Sequence, residues 1–164
     1  MEIIIKDLKK TFGEKVAVDI PSLTIHSGEL LGLVGNNGAG KSTLFRLMLD
    51  LIKADTGTVH IKAMVNAQWS MVNVAETEIW KDWTGAFVDE GFLIDYLTPD
   101  EYFQFIARLT DTSDEQLQEF LAQYQHFMAD ELMGQKKLIR TLSAGNKQKV
   151  GIMAAMLLRP KVLI

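Results

Sequence analysis

The run Gly35-Asn36-Asn37-Gly38-Ala39-Gly40-Lys41-Ser42-Thr43 fits G-x-x-x-x-G-K-[ST], a spacing suited to holding phosphate groups. Glycines let the backbone turn tightly, so that successive N–H groups converge as an anion nest. A helix beginning at the end of such a loop aims roughly half a positive elementary charge at the same point. Lys41 adds a full charge for β- and γ-phosphates, and the Ser42 hydroxyl is placed to ligate Mg²⁺. The chemistry implied is the binding of a nucleotide's phosphate chain.

That loop needs a strand before it and a helix after it. Leu30-Leu31-Gly32-Leu33-Val34 is an apolar run that predicts a buried strand. Leu44, Leu47, Met48, Leu51 and Ile52 recur at helical spacing and predict the helix. Upstream, residues 2–8 and 23–25 read as strands, with turns at Gly13-Glu14 and Ser27-Gly28. Downstream, Asp55-Thr56-Gly57 is a turn and residues 58–61 a short strand. Residues 64–84 have no clean period; their three tryptophans (Trp69, Trp80, Trp83) are expected to pack under strands. Gly85-Ala86-Phe87-Val88 predicts another buried strand, ending at Asp89-Glu90. Thr98-Pro99-Asp100-Glu101 is a helix start, with Thr at the N-cap, Pro at N1 and Glu at N3. A second helix starts near Ser113-Asp114-Glu115, with Leu117, Phe120, Leu121 and Tyr124 inward, so residues 98–127 read as helical.

Bulk properties limit the function classes. The chain has 164 residues, 48% of them hydrophobic and 23% charged, which suits one soluble domain with a real core. Seventeen basic against twenty-one acidic residues give a net charge of −4, and no basic block appears, which argues against general nucleic-acid binding. The absence of cysteine excludes disulfides and thiolate metal sites. No secretory leader and no apolar run of about 20 residues is evident, so the expectation is a cytoplasmic chain that reaches a membrane only through partners.

A second informative stretch is Leu142-Ser143-Ala144-Gly145-Asn146-Lys147-Gln148-Lys149-Val150. Ser143 is a good N-cap, and Val150, Met153, Ala154 and Leu157 would face inward from the helix it starts. Arg159-Pro160-Lys161 and the apolar Val162-Leu163-Ile164 follow. Together with the glycine loop, these pieces resemble the ATP-binding domain of ABC transporters. Residues 142–150 look like its L-S-G-G-Q signature, and residues 159–164 are similar to the lead-in to its second acidic motif. The resemblance runs through nearly the whole chain in the expected order.

The resemblance implies an α/β fold: a P-loop NTPase core with an N-terminal antiparallel β subdomain and an inserted helical subdomain. A single domain, residues 1–164, would contain the helical part at 98–141. The cofactors implied are ATP and Mg²⁺. Residues 35–43, that is Gly35, Asn36, Asn37, Gly38, Ala39, Gly40, Lys41, Ser42 and Thr43, would hold the phosphates, and Phe12 would stack on the adenine. Ser143, Ala144 and Gly145 would act in trans, across a head-to-tail dimer with a second ATP-binding domain. Ser42 and Asp89 would be the metal ligands, with Asp89 also positioned to orient water. Integral membrane subunits would convert the cycle into transport, gripping the region of Phe92, Leu93, Ile94 and Tyr96; those residues equally suit a core. The chain would then be peripheral on the cytoplasmic face of the membrane.

The sequence also departs from that family's pattern. Ala144 adds a methyl where glycine is usual, Asn146 is shorter than Gln, and Asp89 stands where Gln is usual. These departures suit an alternative reading, a nucleotide-binding regulatory module with little turnover. A non-transport ABC protein acting on ribosomes or DNA is a further alternative, and a P-loop kinase leaves residues 142–150 unexplained. The chain stops at Ile164, before the positions where the family places the Asp and Glu of its second acidic motif. The expectation is a truncated ATPase that in this form binds nucleotide poorly and hardly hydrolyses it, with no catalytic carboxylate beyond Asp89. His26, His60 and His126 do not fall where the family's switch histidine belongs.

Overall fold

Alternating apolar residues near the N-terminus build the first layer. In a computed structural model, which describes residues 1–65, 67–128 and 132–164, β1 (Glu2–Phe12) and β2 (Lys15–Ile25) form a hairpin across the expected Gly13-Glu14 turn. β3 (Thr56–Val65) pairs with the other edge of β1, and β4 (Gln68–Asn73) with β3, giving an antiparallel sheet in the order β2-β1-β3-β4. Ile3 and Ile5 face inward, and then the alternation slips: Leu8, not Asp7, is the next buried residue. A register shift between Lys6 and Lys9 causes this, with Asp7 in the left-handed region at φ 47°. Gly57 lies against the bulge, where a Cβ would collide with the carbonyls of Lys6 and Asp7.

The first compact unit, Met1–Trp83, closes with α1 (Lys41–Met48), whose Leu44, Leu47 and Met48 are buried with Val18, Val59, Ile61 and Val72. The helix ends sooner than its spacing predicts. Asp50 adopts φ 51°, its N–H bonds the Leu47 carbonyl, and the Leu51 N–H bonds the Arg46 carbonyl at 2.8 Å. This six-to-one closure ends the helix in a left-handed residue, so Leu51 leaves the buried face and is exposed. Within residues 64–84 only Trp80 among the tryptophans is fully buried, its indole N–H donating to the Val74 carbonyl at 3.0 Å. Trp69 is exposed instead, on β4, and Asn66 of this stretch lies outside the described residues.

One expectation fails. Residues 30–34 form no strand; Leu30 is 98% and Val34 94% exposed. Strand composition does not make a ladder without a neighbour on the hydrogen-bonding edge. In the first unit β1 to β4 pair among themselves, and the run leaves their sheet through the turn closed by the Glu29 N–H on the His26 carbonyl.

The second unit, Thr84–Ile164, is mainly helical. Only Thr84–Gly85 of the predicted strand at 85–88 is extended in a sheet; this β5 pairs in parallel with β6 (Val162–Leu163). The Phe87 N–H still bonds the Ile164 carbonyl at 2.8 Å. α2 (Pro99–Leu109) and α3 (Asp114–Gln123) both begin in complete capping boxes, Thr98 with Glu101 and Ser113 with Gln116. A short α4 (Gln125–Met128) and α5 (Ala144–Met156) complete the bundle around Phe103, Leu117, Met128, Ile139, Val150 and Met153. Residues 129–131, inside the expected 98–141 subdomain, lie outside the described residues.

Candidate functional site: a phosphate-binding loop

Two left-handed glycines shape the loop, Gly38 at φ 81° and Gly40 at φ 92°. The Ala39 N–H bonds the Asn36 carbonyl at 3.1 Å, tightening the turn between them. Gly40 is the N-cap of α1, where no side chain caps the helix and no acidic residue occupies the first turn. An open, uncapped helix start is a site for an anion. Lys41 curls back over the loop, its ammonium donating to the carbonyls of Gly35 at 2.6 Å and Asn36 at 2.9 Å.

The loop faces one end of the β1–β2 hairpin. Phe12, Lys15, Ala17 and residues 37–43 line a cleft of about 310 Å³ with no carboxylate in its wall. Phe12 and Lys15 are cross-strand partners, and Ala17 lies two residues along from Lys15, so all three share a face of the hairpin. Phe12 is half exposed, leaving a ring face for stacking. A hub holds its strand: Asp55 accepts the Thr11 N–H at 2.6 Å, the Thr11 hydroxyl at 2.7 Å and the Lys10 ammonium at 2.9 Å. Led by the Lys10 contact, these bonds pull the Asp55 carboxyl down to about 2. Lys10 in turn stands 5.6 Å from the Phe12 ring centroid.

This wall fits a polyanion. The glycine turns leave its backbone bare, two ammonium groups border it, and no acid repels a phosphate. Mg²⁺ commonly reaches such sites carried by phosphates, with one or two protein oxygens added, and Ser42 is the hydroxyl in this wall.

The structure therefore brings Phe12 together with residues 37–43, while Gly35 and Asn36 hold Lys41 through their carbonyls. The other expected site residues belong to the second unit. Asp89 is the N-cap of a 3₁₀ turn (Glu90–Phe92), its Oδ1 accepting the Gly91 N–H at 2.9 Å. Ser143 caps α5, with the Asn146 N–H donating to its hydroxyl at 3.3 Å. Gly145 has open space around its α-carbon, and Lys147 from the next turn pairs with Glu90 at 3.3 Å. Of the apolar group after Asp89, Leu93 is buried whereas Phe92 and Tyr96 are exposed. Among the described residues no three His, Cys, Asp or Glu side chains group as a metal site.

Two wall residues escaped sequence reasoning, Lys15 and Ala17. Their signal was available in the two-residue turn at Gly13-Glu14, which pairs Phe12 with Lys15 and sets the face that follows.

Comparison with known proteins agrees with this geometry. An uncharacterised ABC transporter ATP-binding protein, YdbJ of Bacillus subtilis (strain 168), is 32% identical over 167 residues, covering 98% of this chain and 48% of that protein. The tungstate uptake system ATP-binding protein TupC of Peptoclostridium acidaminophilum is 27% identical over 164 residues, covering all of this chain and 71% of TupC. The chain thus spans about half to seven-tenths of the length of these relatives. The dimeric structure of MJ0796, a bacterial ABC transporter cassette, superposes with a TM-score of 0.76 over 98% of this chain and 72% of that one, at 22% identity; the fold is shared. With residues 18–164 matching the ABC transporter family, the chain belongs to that family.

Proposed function

We propose that this chain is the nucleotide-binding part of an ABC transporter ATPase, taking up ATP with Mg²⁺ to drive transport through integral membrane subunits. The observation that carries the reading is the acid-free cleft between Phe12 and the glycine loop, with the uncapped start of α1 behind it. Phe12 would lie against the base. The amides of residues 38–43 and the Lys41 ammonium would hold the phosphates, Lys41 exchanging its bonds to Gly35 and Asn36 for phosphate oxygens. Ser42 in the first unit and Asp89 in the second are the candidate Mg²⁺ ligands.

Ser143, Ala144 and Gly145, at the start of α5, would meet the γ-phosphate held by a second ATP-binding domain. Two things support that role: the open space at Gly145, and the dimer reported for MJ0796. The exposed Phe92 and Tyr96 suit contact with a membrane subunit, which would place the protein on the cytoplasmic face. No helix among the described residues is long and apolar enough to cross a membrane.

Calorimetric titration with Mg-ATP tests this reading. A saturable heat that disappears in Lys41→Ala is expected, and no heat at millimolar ATP would remove the reading. The Ala144 methyl at the start of α5 favours a second reading, a regulatory module that binds nucleotide without turning it over. Phosphate release that depends on Lys41 would eliminate it.

A further inference from the structure

Lys15 occupies a position that the glycine-loop motif does not account for. Its ammonium donates to the Gly38 carbonyl at 3.0 Å, at the crest of the loop, whereas Lys41 holds the carbonyls of Gly35 and Asn36 at its base. A Cβ on Gly38 would stand 3.5 Å from that ammonium, so the lysine rests on the loop backbone itself. The pairing of Phe12 with Lys15 fixes the amine on the same face as the exposed ring, and both line the one cleft. A lysine ammonium has three donors, and among the described residues one is given to Gly38. The others are available to a ligand in the cleft, where no carboxylate competes for them.

We propose that Lys15 is a second cation for the nucleoside polyphosphate: it binds the phosphate oxygens nearest the base while keeping Gly38 in place. The inference rests on the nucleotide-binding reading above and adds a ligand contact to it. Lys41 would then neutralise the far end of the phosphate chain and Lys15 the end beside the ring at Phe12. The role asks only for a charge at the tip of a long side chain, which arginine also supplies.

The test compares Lys15→Met and Lys15→Arg with the unaltered chain, titrating each with Mg-ATP and with adenosine at two salt concentrations. Lys15→Met is expected to lower ATP affinity about three- to tenfold, as for a solvent-bordered charge-assisted contact, and to flatten its salt dependence. Adenosine affinity and the thermal unfolding midpoint should hold, and Lys15→Arg should retain most of the ATP affinity. Unchanged ATP affinity in Lys15→Met would overturn the inference. So would an equal loss for ATP and adenosine, since that marks a disturbed hairpin and not a lost phosphate contact. If the unaltered chain binds no ATP, the nucleotide reading and this inference fall together; if binding depends on Lys41 but not on Lys15, only the inference falls.

Discussion

Gly40 sits directly over the backbone carbonyl of Ala17, so close that a Cβ on the glycine would overlap the oxygen. The loop and the hairpin therefore touch through main chain, and the cleft between Phe12 and α1 owes its width to a missing side chain. The glycine also carries φ 92°, which L residues rarely adopt.

Gly40→Ala should accordingly fail twice over, through left-handed strain and through the collision with β2. A loss of about 2–4 kcal/mol is expected, combining the cost of a left-handed L residue with overpacking against backbone. Denaturant unfolding measures it. Mg-ATP should no longer raise the midpoint, because the first turn of α1 would have to move away from Ala17. Gly145→Ala, made in open space, is the control and should leave unfolding nearly unchanged.

Asp55 sets a pH dependence of known sign. Its carboxyl is lowered from 3.8 to about 2 in the folded chain, by Lys10 first and then by the two Thr11 donors. The folded state thus holds that proton more weakly than the unfolded chain does. The stability Asp55 contributes is complete above about pH 4 and is lost as pH falls towards 2. Asp55→Asn keeps one acceptor but gives up the ion pair with Lys10. Its acid unfolding between pH 4 and 2 should be shallower than that of the unaltered chain, measured by circular dichroism. Identical profiles would show that the hub at Thr11 contributes nothing to the fold.

The glycine loop, both capping boxes and the Ser143 cap were legible because each depends on neighbours in sequence: fixed spacing, a cap residue and its partner three positions on. Residues 30–34 were misread for the opposite reason. Their composition is that of a strand, but a ladder is a property of two segments, and composition does not say which segment lies alongside. Leu51 was misplaced because periodicity cannot see Asp50 turn left-handed. Lys15 stayed hidden because a cation near a glycine loop is commonplace in sequence; only the Phe12–Lys15 pairing gives it a direction. The positions of Asp89 and Ser143 were legible as caps, while their service to a nucleotide depends on a second domain that one chain does not supply.

Phe87 and Gly151 pose the corresponding question for the second unit. The Phe87 ring lies on the helix at Gly151, where a Cβ would penetrate the ring edge, and both neighbours of this contact on α5, Val150 and Met153, are fully buried. Glycine inside a helix normally costs about 0.5–1 kcal/mol relative to alanine, so its presence here trades helix propensity for room. In the unaltered background Gly151→Ala must push the ring aside, and overpacking of about 1–3 kcal/mol should outweigh the gain in propensity. In a Phe87→Ala background the obstruction is gone, and the same substitution should stabilise by about 0.5–1 kcal/mol. The sign of Gly151→Ala is thus expected to reverse between the two backgrounds, which a double-mutant cycle in denaturant reads directly. Equal effects in both would mean that the ring yields without cost, and that Gly151 is there for a reason unrelated to Phe87.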